Sequence, residues 1–144
     1  MKRNWILVLL ALLIGLSAVG IYTYFFVYNK PHRDFEKEPA AFTLTAEALF
    51  SAFVTDETSA ETEYIGKVVK VSGRVDSVEQ IDDLVIVSFV FEEGMFGPMG
   101  VRCTMLESHR AKALELEKDQ EVVVKGFCAG FTGNDVILEH CSFP

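Results

Sequence analysis

The stretch that decides the fold is KVVKVSGRVDSV, residues 67–78. Its apolar and polar side chains alternate, with Val69, Val71 and Val75 on one face and Lys70, Ser72 and Arg74 on the other. This period of two is typical of a β-strand with one buried face. Gly73 inside the strand predicts a bulge or a sharp bend. The segment therefore predicts a mainly β domain whose long first strand is curled.

Four more strands and one helix follow this segment. The predicted strands are residues 84–91, 98–105, 121–128 and 135–142, and the predicted helix is residues 108–116. The helix falls between the third and fourth strands, which is the layout of a five-stranded OB-fold barrel. SH3-like barrels also have five strands, and the position of the helix favours the OB-fold.

Two helical pieces and a polar segment precede the barrel. Residues 44–54 carry apolar side chains four apart with Thr45 as the expected N-cap, and residues 56–64 predict a second short helix. Residues 29–42 are largely polar and predict a linker. We therefore expect an OB-fold domain with a helical extension over residues 43–144, joined by this linker to residues 1–28.

The first 28 residues predict a transmembrane anchor. No charged residue occurs from Trp5 to Tyr28, and a helix of this length spans roughly 36 Å, enough for a hydrocarbon core of about 30 Å. The short N-terminus with Lys2 and Arg3 favours a single-pass protein with a cytoplasmic N-terminus and an extracytoplasmic domain, on the periplasmic side of the inner membrane. The alternative is a signal peptide cleaved after Gly20 and a secreted domain. The apolar residues beyond Gly20 favour the uncleaved anchor.

Charge separates the anchor from the rest of the chain. All 21 acidic residues follow position 33, while two of the 13 lysines and arginines precede the anchor, so residues 29–144 have a formal charge of −10. A negative domain repels phosphate backbones and anionic lipid. This charge argues against nonspecific binding to nucleic acid.

Several segments resemble the tRNA_anti-like family of OB-fold proteins. They are YIGKVVKVSGRV at residues 64–75, VVVKG at 122–126, DVIL at 135–138 and NKPHRD at 29–34. The family includes bacterial membrane-anchored and lipoprotein members, and NKPHRD resembles those of Bacteroidetes. The resemblance covers most of residues 29–143 and implies the OB-fold, but its valines and glycines specify architecture, so no functional residue carries over. One departure is Asp119-Gln120, where a glycine turn is more typical.

Three cysteines, Cys103, Cys128 and Cys141, lie on predicted strands. They lack Cys-x-x-Cys spacing, which argues against zinc binding and thioredoxin-like chemistry. The third and fifth strands of an OB barrel are neighbours, so Cys103 and Cys141 are candidates for a disulfide in an exported domain, with Cys128 as the rival partner. The alternative is three reduced cysteines acting as small buried apolar residues.

No pattern predicts catalysis or a cofactor. His32, His109 and His140 have no metal-ligand spacing. Adjacent carboxylates at residues 56–57, 82–83 and 92–93 fall at predicted caps and turns, and the common catalytic motifs are missing from the sequence. We expect no enzymatic activity, no cofactor and no metal site.

Two groups of residues are candidates for ligand binding. Loop side chains that can mark an interaction site, or plug a barrel end, are Phe96, Met99, Phe131 and Asn134. Strand cations that could form a basic stripe are Lys70, Arg74 and Arg102.

Together these features predict a non-catalytic binding module tied to the lipid bilayer by residues 5–28. Its expected partner is an unidentified protein, peptide, glycan or small ligand. The alternative is a nucleic-acid-binding OB-fold protein for tRNA or single-stranded DNA, which needs a basic stripe on the barrel. Scattering of Lys67, Lys70, Arg74 and Arg102 among carboxylates would count against that alternative.

Overall fold

A computed structural model describes residues 1–28 and 33–144. The chain divides into two compact units, Met1–Arg33 and Asp34–Pro144. In the first unit, helix α1 (Lys2–Thr23) continues into a π-helical turn, Tyr24–Tyr28. The span from Lys2 to Tyr28 has a mean hydropathy of 2.5 and no buried residue in its most apolar window. It is therefore long and apolar enough to cross a bilayer, a property shared by N-terminal signal sequences.

The second unit is mainly β. Its elements in chain order are β1 (Phe42–Thr45), α2 (Ala46–Thr55), α3 (Glu57–Tyr64), β2 (Val68–Arg74), β3 (Ser77–Ile81), β4 (Leu84–Gly94), β5 (Gly97–Met105), α4 (Glu107–Leu114), β6 (Glu121–Phe131) and β7 (Asp135–Ser142). The short helix predicted between the third and fourth barrel strands is confirmed as α4. The predicted N-cap is confirmed too, since Thr45 Oγ1 accepts a hydrogen bond from the Ala48 N–H at 3.0 Å.

One sheet contains the seven described strands in the order β1-β2-β6-β7-β5-β4-β3. Two of its pairs are parallel, β1 with β2 and β5 with β7, and the other four are antiparallel. The predicted closed barrel of five strands is therefore wrong in strand number and in closure, because β1 and β3 are open edges. β1 is an additional strand, and the predicted first strand is divided into β2 and β3.

The division of the first strand has a local cause at Val75 and Asp76. The Val75 N–H donates to the Gln120 carbonyl at 2.9 Å, whereas the Asp76 N–H donates to the Ser88 carbonyl at 2.8 Å. Backbone pairing thus changes sides, from the β6 side to β4, within two residues. Gly73 allows a close approach just before the bend, since a Cβ there would lie 3.0 Å from the Phe89 ring. The sheet consequently curls, because consecutive strands β2 and β3 lie near its opposite ends.

The core fills the concave side of this curled sheet. Alternate valines of the strands are buried together with three large side chains of α2, Leu49, Phe50 and Phe53. Each such side chain contributes about 1.5–3 kcal/mol of hydrophobic stabilisation. Helix α2 is therefore packed against the sheet through these three side chains.

Residues 34–41, expected to be part of the linker, lie against the sheet, and we call them the strap. The Phe35 ring stacks on His140 with 4.6 Å between centroids and lies 4.8 Å from the Phe127 ring. Glu36 Oε1 lies 2.8 Å from His109 Nε2. His109 and His140 therefore have structural contacts here, while His32 lies outside the described residues.

Candidate binding surface

The turn between β4 and β5 exposes two large apolar side chains. Met95 is 92% exposed and Phe96 is 86% exposed. Met99, three residues on, is half-buried and packs against the core. Gly97 at this turn has φ of 121°, a conformation that favours glycine. Met95 and Phe96 at the tip of the turn are therefore exposed to solvent, whereas Met99 is folded back onto the core.

Two candidate residues at the junction of β6 and β7 are half-buried, Phe131 as the last residue of β6 and Asn134 in the loop that follows it. The Phe131 ring lies 5.3 Å from the ring of Phe53 and is half-buried. Phe131 therefore plugs the end of the core, one of the two roles expected for loop aromatics. Asn134 lies within the following turn, in which the Asp135 N–H donates to Thr132 Oγ1 at 3.1 Å.

A cavity of about 260 Å³ lies where the face of β3, β4 and β5 meets this loop. We call it the outer groove; its lining includes Ser77, Glu79, Phe96, Pro98, Arg102 and Asn134. Strand register aligns its polar groups, because Ser88 is paired with Ser77 on one side and with Arg102 on the other. Arg102 Nη2 lies 3.2 Å from Glu79 Oε2 across these strands. The structure therefore brings together three expected residues: Phe96, Asn134 and Arg102.

The other expected cations lie elsewhere. Lys70 on β2 is opposite Lys125 on β6, whose Nζ donates to the carbonyls of Glu36 and Glu38 in the strap. Arg74 is opposite Glu121 and lines a second cavity, of about 400 Å³. Since β6 and β7 separate β2 from β5 in the sheet, Lys70 does not form one stripe with Arg102. Arg74 lies next to the bend, and its cavity shares the lining residues Asp76 and Val90 with the outer groove.

All three cysteines are free and fully buried. Burial raises the pKa of the Cys128 thiol to about 11. Burial also raises the pKa of Cys141, and a hydrogen bond with the Cys103 thiol raises it further. Cys103 is thus a direct neighbour of Cys141, and their disulfide remains a prediction.

Sequence reasoning missed Glu79, Ser77 and Pro98 as lining residues. Glu79 lines the groove because the bend at Val75 and Asp76 lets β3 pair with β4. This long-range pairing cannot be seen in the sequence. The one signal in the sequence was the alternation that places Ser77 and Glu79 on one face. Within residues 1–28 and 33–144 there is no group of three or more His, Cys, Asp or Glu side chains suited to hold a metal.

Comparisons with known proteins agree with this geometry. The family model described as tRNA_anti-like matches residues 1–143, and a search of curated proteins finds no match. The crystal structure of a "putative nucleic acid-binding lipoprotein" from Klebsiella pneumoniae is similar, with a TM-score of 0.56 at 14% identity, covering 71% of this chain and 90% of that chain. Two structures of asparaginyl-tRNA synthetase from Pyrococcus horikoshii have TM-scores of 0.38 at 19% identity and cover 56% of this chain and 20% of that chain. At 14% identity the lipoprotein comparison supports the fold alone.

Proposed function

Since the chain belongs to the tRNA_anti-like family of OB-fold proteins, we propose that it is a non-catalytic binding module held at a membrane. In this proposal residues 5–28 cross the bilayer with the N-terminus in the cytoplasm. The unit that begins at Asp34 then faces the extracytoplasmic side and recognises a partner there. The −10 charge of residues 29–144 fits a surface that avoids anionic headgroups.

The outer groove and the adjoining turn are the proposed contact surface. The observation that carries this proposal is the 86% exposure of Phe96, which also lines the groove. Burying a phenylalanine side chain against a partner contributes about 1.5–3 kcal/mol. Strands 2 and 3 of an OB-fold and its loop between strands 4 and 5 commonly contact ligands, and β4, β5 and the Asn134 loop occupy these positions.

The groove chemistry favours binding over catalysis. Its principal charged pair, Glu79 and Arg102, is mutually neutralised at 3.2 Å. The histidines His109 and His140 contact the strap, and the cysteines are buried in the core. Ser77 and Ser88 line the groove with carboxylates, but among the described residues no side-chain hydrogen bond joins either serine to a base, the usual sign of covalent catalysis.

Nucleic-acid binding is the second candidate, favoured by the structural likeness to the Klebsiella lipoprotein, which is described as nucleic acid-binding. Such a role calls for a cationic path along the backbone of the strand. In this chain Arg102 is paired with Glu79, Arg74 lies opposite Glu121, and Lys70 lies further along β2. The charge distribution therefore supports a protein, peptide or other non-phosphate ligand.

Site-specific photocrosslinking in native membranes tests the contact surface. The full chain carrying benzoylphenylalanine in place of Phe96 should form a discrete adduct, and Phe96→Ala should abolish co-purification of the same partner without changing the melting temperature. Val54, 47% exposed on α2, is the matched control for both substitutions. Equal crosslinking from both positions, or from neither, would overturn the proposed surface.

A further inference from the structure

Each of the four charged side chains that line the outer groove has a partner within the protein. Glu79 and Arg102 lie 3.2 Å apart, and Asp76 lies 3.6 Å from the Lys118 ammonium. Asp135 Oδ1 accepts a hydrogen bond from a backbone N–H of β5 at 3.0 Å. The charges of the groove are therefore engaged inside the protein and do not call for an ionic ligand.

The neutral polar side chains of the groove are in the opposite situation. Ser77, Ser88 and Asn134 line the cavity, and within residues 1–28 and 33–144 no hydrogen bond is found for their side chains. Hydroxyl and carboxamide groups both donate and accept hydrogen bonds. The groups that remain for a ligand are thus neutral, and each can act as donor and as acceptor.

Ser88 is a buried member of this neutral set. Its side chain lies on the outer face of β4, because the neighbouring Val87 and Phe89 belong to the core, yet Ser88 is only 7% exposed. Buried polar groups nearly always have a hydrogen-bond partner. Since Ser88 is paired with Ser77 and Arg102 on its two sides, the outer groove is where a ligand reaches the Ser88 hydroxyl.

An apolar surface borders these polar groups. The Phe96 side chain is 86% exposed and lines the cavity together with Pro98. A sugar ring carries hydroxyls around its rim and C–H groups on its faces, and a C–H face packs against the electron-rich face of an aromatic ring. The cavity volume of about 260 Å³ is just below the range of about 300–1,000 Å³ for drug-sized ligands. The groove therefore suits one compact ring with hydroxyls on its rim.

We propose that the outer groove binds one ring of an uncharged sugar, either as a free saccharide or as a unit of a glycan chain. This inference rests on the proposed binding function and names the ligand class of that site. Phe96 covers a C–H face of the ring, while Ser77, Ser88 and Asn134 exchange hydrogen bonds with its hydroxyls. An anionic ligand is repelled by the −10 charge of residues 29–144, and a cationic ligand meets carboxylates that already have partners.

The test is saturation-transfer-difference NMR on the full chain in nanodiscs of zwitterionic lipid, with the neutral trisaccharides chitotriose, cellotriose, maltotriose and mannotriose. We expect at least one of them to bind with a Kd of about 1 mM or tighter. Trigalacturonate, which is anionic, and the chitosan trimer, which is cationic, should each bind at least about tenfold more weakly. A matching monosaccharide that binds equally well identifies a free sugar as the ligand, and a weaker one identifies a glycan chain.

Two variants with matched controls locate the sugar in the groove. Ser88→Ala should weaken binding about fivefold without lowering the melting temperature, because its hydroxyl has no bond to lose within the described part of the chain. Ser142→Ala removes another buried serine, outside the groove lining, and should leave the affinity unchanged. Phe96→Ala should also weaken binding about fivefold. Met95→Ala, next to it in the same turn but outside the lining, should not.

Three results would overturn the sugar ligand. They are failure of all four neutral trisaccharides to bind, equal binding of trigalacturonate, and wild-type affinity in Ser88→Ala. Equal losses in Met95→Ala and Phe96→Ala would also contradict it, because they would indicate contact with the tip of the turn instead of the groove. A crosslink from position 96 that excess of each trisaccharide leaves unchanged would refute the sugar while the binding function stands.

Discussion

Buried thiols show how environment sets the chemistry of single residues in this domain. Cys103, Cys128 and Cys141 are each 0% exposed. Their burial disfavours the charged thiolate, which explains the raised pKa values of Cys128 and Cys141. Since the thiolate is the reactive form, all three thiols should be inert in the folded chain.

Alkylation at about pH 8 tests this and the predicted disulfide together. With a pKa of about 11, Cys128 is roughly 0.1% thiolate at that pH, so iodoacetamide should leave the folded chain unmodified. After denaturation without reductant, mass spectrometry should find one label if Cys103 and Cys141 are joined, and three if they are reduced. Labelling of the folded chain within minutes would contradict the burial of the thiols.

The burial of single loop side chains could not be predicted from the sequence. Phe96 was a candidate because of its type and loop position, and the sequence left open whether it contacts a partner or folds back. Phe131 and Met99 have the same character, yet both fold back onto the core. Their burial depends on contacts such as that with Phe53, far away in sequence, which no local pattern encodes.

At the scale of elements, strand positions followed from period and composition. The segments 84–91, 98–105, 121–128 and 135–142 each coincide with a strand, because their alternation or β-branched content persists over several residues. β1 was missed because it has only four residues, and Leu44 and Thr45 fit the helix that follows. The division of β2 from β3 depends on long-range hydrogen bonds at Val75 and Asp76.

The contacts of the strap were not predicted, because its polar composition is typical of a linker. Within the strap, however, the Phe35 ring stacks on His140. His140 lies at a bulge of β7 and has a φ of 51°. Two adjacent residues there, Glu139 and His140, are both exposed, so the strand alternation fails at this point. The break in alternation leaves the His140 ring on the outside of the sheet, where Phe35 stacks on it.

Removing the Phe35 ring should weaken the folded unit measurably. Phe35→Ala should lower the free energy of unfolding by about 1–2 kcal/mol, less than the 3–5 kcal/mol of a fully buried phenylalanine because Phe35 is half-buried. A double-mutant cycle with His140→Ala should show a coupling of about 0.5–1.5 kcal/mol. Urea unfolding of the full chain in detergent, followed by circular dichroism, provides the measurement. Phe96→Ala is the exposed control, and a Phe35→Ala variant as stable as that control would refute the role of the strap.

At the scale of the whole molecule, the chain combines one long apolar helical span, Lys2–Tyr28, with an acidic, mainly β unit. The helix was predictable because an uncharged apolar run of this length is typical of a membrane span or a signal sequence. The proposed contact surface was only partly predictable, because the cavity is lined by residues of β3, β5 and a loop that are far apart in sequence. The formal charge of −10 over residues 29–144 gave the most general constraint on the partner, because it disfavours phosphate backbones and anionic lipid.

Membrane retention of the intact chain is the prediction that belongs to this scale. Because the span Lys2–Tyr28 has a mean hydropathy of 2.5 in its most apolar window, we expect the protein to stay in the membrane after alkaline carbonate extraction and to keep residues 1–20. A charge at mid-span costs about 2.5–3.5 kcal/mol, so Leu13→Arg should shift much of the protein to the soluble fraction. Val54→Arg makes the same change on an exposed position of α2 and should leave retention unchanged. A mature protein that starts at Ile21 and is recovered in the soluble fraction would instead identify the helix as a cleaved signal.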